Sequence, residues 1–297
     1  LCDRAAPVKP PLFEYHRAES TDEAVALLAE HADEAKVLAG GQSLVPLLSL
    51  RLARPAHLID INRVGELAAI ANGNGLTVGA LVRHRAVERS DIARTASPLL
   101  AHAVGFIGHS AIRNRGTVGG SIAHADPAAE LPAVLLVLDG EVQARSARGI
   151  RTVSASALFE GFLTTSLEPD ELLTAVHVPE WTAGTGWSFQ EFSRRSGDFA
   201  IVGVAATVRL DSNGNVGEAR LAFSGVDQVP VRATAAESLM AGAAPSDDLW
   251  KSAAQAAATP LEPASDIHGS AAYRRQLAAV LAERALREAH DRAKDAR

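Results

Sequence analysis

Residues 37–44 read VLAGGQSL and residues 113–121 read RNRGTVGGS. Each is a Gly-Gly turn entered from an apolar or β-branched lead-in. A backbone that must come close to an anion cannot carry a Cβ at the point of approach, and its N–H groups must face outward. Gly40 and Gly41 suit that task, because a short strand feeds the turn and an apolar helical stretch over 44–52 follows directly. The amides of Gln42, Ser43 and Leu44 are then expected at the positive end of that helix, where phosphate is favoured, and Ser43 adds a hydroxyl. The second turn, TVGGS at 117–121, has the same build, with Arg113 and Arg115 just before it. Neither turn is a G-x-G-x-x-G after a strand, and no G-K-[ST] occurs, so the Rossmann and Walker phosphate loops are excluded. Two readings stand here: two tight corners in an α/β chain, or two halves of one anion cradle.

The pattern around the turns is that of alternating short elements. Segment Thr21–His31 places Ala24, Leu27, Leu28 and His31 at helical spacing behind a Ser20 or Thr21 cap. Strands expected at 36–39 and 57–61 flank the first turn and its helix, a β–turn–helix–β unit whose strands are parallel. NGNG predicts a hairpin between 67–70 and 76–81. A helix is expected over 97–107, then a buried apolar helix or strand over 132–138 closed by the turn Asp139-Gly140. Strands at 141–144 and 149–153 follow, and Leu172–Val178 ends at Pro179. The Gly-rich WTAGTGW at 181–187 marks a domain boundary. Beyond it come a hairpin, 201–210 with 216–223, and helices over 231–240, 248–258 and 271–293.

Composition narrows the function classes. At 297 residues the chain has room for two or three domains. A net charge of −6 lacks the basic footprint of a nucleic-acid binder. Apolar runs such as AVLLVL at 133–138 are too short to cross a bilayer, and residues 1–11 lack the apolar core of a signal peptide. A cytoplasmic location is therefore expected. The one cysteine, Cys2, permits neither a disulfide within the chain nor a cysteine-ligated iron–sulfur cluster. If the chain carries electrons, it does so on an organic cofactor and receives them from a partner.

Other chemistry-bearing residues read as scaffold. His124 and Asp126, in HADP, are two ligands without a third and suit a polar loop beside a cofactor better than a metal site. His109, near the second turn, reads as a turn cap ahead of a flavin contact, and His84 and His102 as scaffold histidines. RRSGDF at 194–199 reads as a turn holding an Arg–Asp pair at the domain junction. Leu277, Val280, Leu281 and Leu286 form the core stripe of the last helix. No Ser/His/Asp arrangement supports nucleophilic catalysis, so no catalytic side chain and no metal ligand is expected.

Five stretches read together: AGGQSLVPLLSLR at 39–51, HLIDINRV at 57–64, IRNRGTVGGSIAHADPAAELPA at 112–133, FSRRSGDFAIVGVAA at 192–206 and DIHGSAAYRRQLAAVL at 266–281. They resemble the FAD-binding medium subunit of the molybdenum hydroxylases, the family of xanthine dehydrogenase, carbon monoxide dehydrogenase and the quinoline-, nicotine- and caffeine-type dehydrogenases. The resemblance covers nearly the whole chain. It implies an α+β fold: a two-part FAD-binding domain of the vanillyl-alcohol-oxidase-like (PCMH) type over 8–182, made of two α/β subdomains. A smaller α+β domain, with a short antiparallel sheet and helices, is implied over 187–293.

The same resemblance implies that both loops cradle the FAD diphosphate and ribityl chain. The first contributes Val37, Leu38, Ala39, Gly40, Gly41, Gln42, Ser43 and Leu44; the second contributes Thr117, Val118, Gly119, Gly120 and Ser121. Ile107 falls beside the flavin, Glu130 where the adenosine portion or its sugar hydroxyls bind, and Leu173 and Gln190 where residues line the flavin. Many members carry Asn at the Ser121 position, Asp at Glu130 and Lys or another long polar residue at Gln190. Glu130 keeps the carboxylate one methylene longer, Ser121 keeps a shorter-reaching hydroxyl, and a neutral Gln190 puts less positive charge near the flavin.

The implied function is a flavoprotein subunit of a multi-subunit molybdenum hydroxylase. A large subunit would carry the molybdopterin cofactor, a small one two [2Fe–2S] clusters, in an (αβγ)₂ assembly. Electrons would pass from the clusters to the FAD and on to a terminal acceptor such as a quinone, oxygen, a dye-like carrier or NAD. An N-heteroaromatic compound is the preferred substrate class. The alternatives are a carbon monoxide- or aldehyde-oxidising complex, a stand-alone FAD oxidoreductase and a flavin-free scaffold subunit.

Overall fold

A three-stranded parallel sheet opens the chain in the computed structural model, which describes residues 9–296, so Cys2 lies outside the described residues. Its strands run in the order Glu14–Arg17, His57–Asp60, Ala35–Leu38, with Val37 opposite Ile59 and Leu38 opposite Asp60. Helix Thr21–His31 covers it. The Ser20 hydroxyl accepts the Glu23 amide at 3.1 Å, and Asp22 and Glu23 suit the positive helix end. Ala24, Val25 and Leu28 bury against Ile59, Ile61 and Leu67. The parallel unit expected around the first turn is present, but its helix is Leu44–Ser49 and stops before 52. Arg51 takes φ 58° and its amide folds back onto Leu48 O, which ends the helix.

Next comes a five-stranded antiparallel sheet in the order Ile70–Gly73, Gly75–Gly79, Leu172–Val178, Glu141–Ser146, Gly149–Ser154. The NGNG hairpin forms tightly, with Gly73 paired to Gly75. Leu67 is not in its strand: it sits in the 3₁₀ turn Gly65–Ala68, where its side chain drops into the first core. The helix expected over 97–107 is only Pro98–Ala103, because Gly105 and Gly108 follow and Gly108 takes φ 49°. The segment around 132–138 is a helix, Glu130–Val137, with all eight residues buried. It lies between helices Pro98–Ala103 and Val118–His124 and the C-terminal sheet, so no face of it meets water.

That last sheet is antiparallel, in the order Thr185–Phe192, Val202–Leu210, Val216–Ser224, Val231–Arg232. Residues 231–232, expected to start a helix, form its edge strand instead. The Ala233 amide bonds Leu221 O and prolongs the ladder, and the helix is Thr234–Met240. Helices Asp247–Ala258 and Ala271–Asp295 complete the domain. The long helix lays Ala278, Leu281, Ala282, Ala285 and Leu286 on the sheet; Val280, expected in that stripe, is exposed. No helix among the described residues is long and apolar enough to cross a membrane.

Candidate functional site

The two glycine turns meet. A Cβ on Gly40 would collide with the carbonyl oxygen of Arg115 and stand 2.9 Å from Gly116 Cα; one on Gly120 would stand 4.0 Å from Ala39 Cβ. A polar chain fastens this contact. Asn62 Nδ2 donates to Ala39 O at 2.8 Å and to Asp60 Oδ1 at 2.7 Å. Arg83 then donates to Asn62 Oδ1 at 2.7 Å and, through its other terminal nitrogen, to Arg115 O. Burial pushes the Asp60 carboxyl up, but hydrogen bonds from Tyr15 and Asn62 and the charge of Arg115 outweigh it and hold the group below its ordinary range. Burial and the neighbouring Arg115 lower Arg83, although a guanidinium stays charged.

The turns differ in what they offer. Among the described residues the amides of Gly40, Gly41, Gln42, Ser43 and Leu44 make no hydrogen bond within the chain. Gly41 takes φ 74°, which turns successive amides toward one side. The second turn does not share this build, contrary to expectation. Val118 N bonds Val82 O, Gly119 N bonds Ala80 O and Ser121 N bonds Thr117 O, each at 3.0 Å. Gly120 N is capped by the Thr117 hydroxyl at 3.0 Å. A Cβ on Gly119 would stand 2.5 Å from Ala80 Cβ, so this glycine serves helix–strand packing. What the second segment offers are the hydroxyl of Ser121 and the guanidinium of Arg115, neither with a partner among the described residues. Arg113 offers nothing: its guanidinium donates to Ile107 O and Gly108 O and pairs with Glu88 at 3.1 Å.

A cleft of about 400 Å³ opens here, lined by Gly40, Gly41, Gln42, Asp60, Asn62 and Arg115 among others. Gly40, Gly41 and Gln42, whose amides are unbonded, line it together with Arg115, whose guanidinium makes no hydrogen bond or ion pair among the described residues, and such donors suit an anion. A larger groove of about 570 Å³, beside Asp22 and Arg145, contains no residue of either turn.

The other expected residues divide. Ile107 and Leu173 lie in the middle core, Leu173 where the pairing with Ala144 becomes irregular. Val37 and Leu38 belong to the first sheet and Leu44 begins the short helix. Glu130 starts the all-buried helix at 6 % exposure, and burial, helped by Asp126, pushes its carboxyl up to about 7. Gln190 faces the last helix: its amide donates to Glu288 Oε2 at 2.6 Å and to Ser188 Oγ at 3.3 Å. Strand alternation gives the opposite face to Phe189, which joins the middle core, and to Glu191. Burial and the charge of Glu130 push Glu191 up to about 8, and its Oε2 is buried without a hydrogen bond.

Among the residues set aside, His84 is a buried scaffold histidine whose pKa burial lowers to about 4, which keeps the ring neutral. His109 stands at the N-cap of Ser110–Arg113 but its ring makes no capping bond. Asp126 Oδ1 accepts Ala128 N and shapes its own turn. In RRSGDF the turn exists, but no Arg–Asp ion pair forms there among the described residues; Asp198 N bonds Arg195 O instead. Sequence reasoning missed Arg83 and Glu191 and used Asp60 and Asn62 only as part of a longer motif. The visible signal for Glu191 was its even spacing from Phe189.

The first sheet and the second glycine turn bring unbonded amides and Arg115 to one cleft, a setting that suits a phosphate-bearing ligand. Residues 11–181 match the FAD-binding domain in molybdopterin dehydrogenase, and residues 187–289 the carbon monoxide dehydrogenase flavoprotein C-terminal domain. The chain belongs to this family of FAD-dependent oxidoreductase subunits. It is 44 % identical to the 6-hydroxypseudooxynicotine dehydrogenase complex subunit alpha of Paenarthrobacter nicotinovorans, over 97 % of each chain. Carbon monoxide dehydrogenase from Hydrogenophaga pseudoflava superposes with a TM-score of 0.93 at 40 % identity, covering 95 % of this chain and 99 % of that one. Quinoline 2-oxidoreductase from Pseudomonas putida 86 gives 0.92 at 37 % identity, covering 96 % and 99 %.

Proposed function

We propose that the chain holds FAD with the diphosphate in the cleft between the two turns, as the flavoprotein subunit of a molybdenum hydroxylase. The observation that carries this is the run of free amides from Gly40 to Leu44, of which Gly40, Gly41 and Gln42 line the cleft beside Arg115. The amides of residues 40–44 would receive the diphosphate oxygens, and Arg115 would balance their charge. Ser43 and Ser121 would supply hydroxyls to the ribityl or phosphate oxygens, while Thr117 would hold the second turn in place by capping Gly120. Ile107 and Leu173 would close the apolar side of the flavin. Glu130 would face the adenosine portion or its sugar hydroxyls, and Gln190 or its strand neighbour Glu191 would reach the cofactor from the second domain. When bound, FAD supplies the redox chemistry; the chain's residues bind it, orient it and exclude water. In this reading residues 8–182 form the FAD-binding domain and 187–293 the second domain.

The partners follow from relatives named as subunits and chains of dehydrogenase complexes. A molybdopterin subunit and a [2Fe–2S] subunit would complete the enzyme as (αβγ)₂ in the cytoplasm, delivering electrons through this chain to a separate acceptor. An N-heteroaromatic substrate is favoured by the 44 % identity to a subunit of the 6-hydroxypseudooxynicotine dehydrogenase complex, and relatives named for carbon monoxide and glyceraldehyde, at 39 % and 40 %, make those substrate classes the alternative. Fluorescence titration of the apo chain tests the site. FAD should bind, Arg115→Ala should weaken it about tenfold, and flavin mononucleotide, which lacks the diphosphate bridge, should be indifferent to that change. Equal loss for both flavins would remove the diphosphate from the cleft. Turnover of an N-heterocycle by the native complex, with bleaching of this chain's flavin, tests the wider reading.

A further inference from the structure

Three histidines that no part of the flavin site uses come together on the first sheet. His16 is on the edge strand, His57 begins the central strand and His31 is the last residue of helix Thr21–His31. One ring nitrogen from each lies within 4.8 Å of the others. The arrangement is built by the backbone. Glu14 and His57 are direct partners in the parallel ladder, and His16 is two residues along from Glu14, so the pleat puts all three side chains on one face. The helix delivers His31 to that same face, and on the other side of His57 the ladder partner is Ala35, which takes no space.

We propose that His16, His31 and His57 bind one divalent transition-metal ion of the zinc type, with Glu14 or water as the fourth ligand. Their mutual contacts leave most of their bonding capacity unused. His16 Nε2 and His57 Nδ1 are 3.0 Å apart, while His31 only stacks on His57, with centroids 3.7 Å apart and planes 9° from parallel. Glu14 Oε2 is 3.7 Å from His57 Nδ1, close enough to swing into a fourth position. Metal–nitrogen bonds of about 2.0–2.1 Å on a tetrahedral ion put ligand nitrogens roughly 3.3 Å apart, so small rotations of half-buried rings suffice. Imidazole ligands suit zinc, copper and nickel and are poor for magnesium and calcium. The ion would tie an edge strand, the central strand and the helix end together. It would do so at the strand ends opposite the glycine turn, so it is a clip on the lobe and not part of the flavin cleft.

The test uses untagged full-length chain, freed of metal by a chelator and loaded with FAD. Zinc should bind with one-to-one stoichiometry, survive competition from a chromophoric chelator of micromolar affinity and raise the melting temperature. Cobalt should give the visible bands of a low-coordinate nitrogen site. His31→Ala and His16→Asn should each lower zinc affinity about tenfold or more while leaving circular dichroism and FAD affinity unchanged. Two variants guard against one that fails to fold, and the unchanged FAD affinity separates this site from the flavin reading. Absence of competitive binding, or equal binding in both variants, would overturn the assignment.

Discussion

Gly40 and Gly41 are adjacent glycines required for unrelated reasons. Gly40 has no room for a Cβ because the Arg115 carbonyl, itself held by Arg83, occupies the space. Gly41 has φ 74° and only side-chain neighbours. Gly40→Ala should therefore pry the turns apart, costing about 1–3 kcal/mol of stability and at least tenfold in FAD affinity. Gly41→Ala should cost about 1 kcal/mol in backbone strain and less in affinity; denaturation and flavin titration read both. The dipeptide was legible in the sequence, and its contact with position 115 was not, because long-range contacts leave no local pattern. Glu191 poses the same problem in charge. Its carboxyl is raised from 4.5 to about 8 and that of Glu130 to about 7, so the folded chain binds protons that the unfolded chain has already lost. Their contribution to stability is complete below about pH 4.5 and disappears as pH rises through 7 to 8. Glu191→Gln should flatten the decline of the apo chain's melting temperature between pH 5 and 8, stabilising it at pH 8 and leaving pH 5 nearly unchanged. An unaltered slope would mean that Glu191 ionises freely.

At the scale of elements, strand Thr185–Phe192 shows what period and sequence alone can decide. Its span follows from alternation, but which face meets which neighbour depends on the helix that arrives some hundred residues later. Ser188 Oγ donates to Glu288 Oε2 at 2.5 Å, Gln190 donates to the same oxygen at 2.6 Å, and Arg292 bonds the other oxygen at 2.7 Å. One carboxylate thus gathers one strand face and the next helical turn. Glu288→Ala would leave the buried Ser188 hydroxyl without its acceptor and the Gln190 amide with only the longer bond to Ser188, so a loss of about 1–3 kcal/mol is expected in urea denaturation. FAD affinity should stay as it was, since none of these residues lines the cleft; a large loss of affinity would place Gln190 at the flavin. Elements with a local signal, such as Thr21–His31 with its Ser20 cap and the hairpin on either side of DSNGN, were legible nearly to the residue. Those whose ends are set by tertiary contacts were not: Leu67 left its strand for another core, and Val231 joined an edge that only Phe223 and Ala222 make available.

At the scale of the whole molecule, the boundary at 181–187 separates two sequence motifs but not two independent cores. Helix Glu130–Val137 is apolar on every side, and strands Val202–Leu210 and Val216–Ser224 cover one of those sides. Phe189, Ala205 and Ala222 belong to the same buried cluster as Leu131, Val134 and Leu135. The joint is also polar: Gly225 N bonds Pro127 O at 2.8 Å, and Asp139 pairs with Arg220 at 2.8 Å and with Arg232. Removing the second domain would expose a helix with no polar face, beside the helix that carries the second glycine turn. Apolar surface bared on that scale drives aggregation or loose packing. A chain ending at residue 182 should therefore unfold without a cooperative transition, bind a hydrophobic dye and hold FAD at least a hundredfold more weakly, and co-expression with residues 183–297 should restore all three properties. A sharp, reversible melt of the short chain would show instead that the sheet only leans on a finished domain. Sequence divides this chain at a glycine-rich link, whereas the buried helix packs against both of its parts; the residues that line the cleft all precede that link, so a loss of FAD on truncation would act through the shared core.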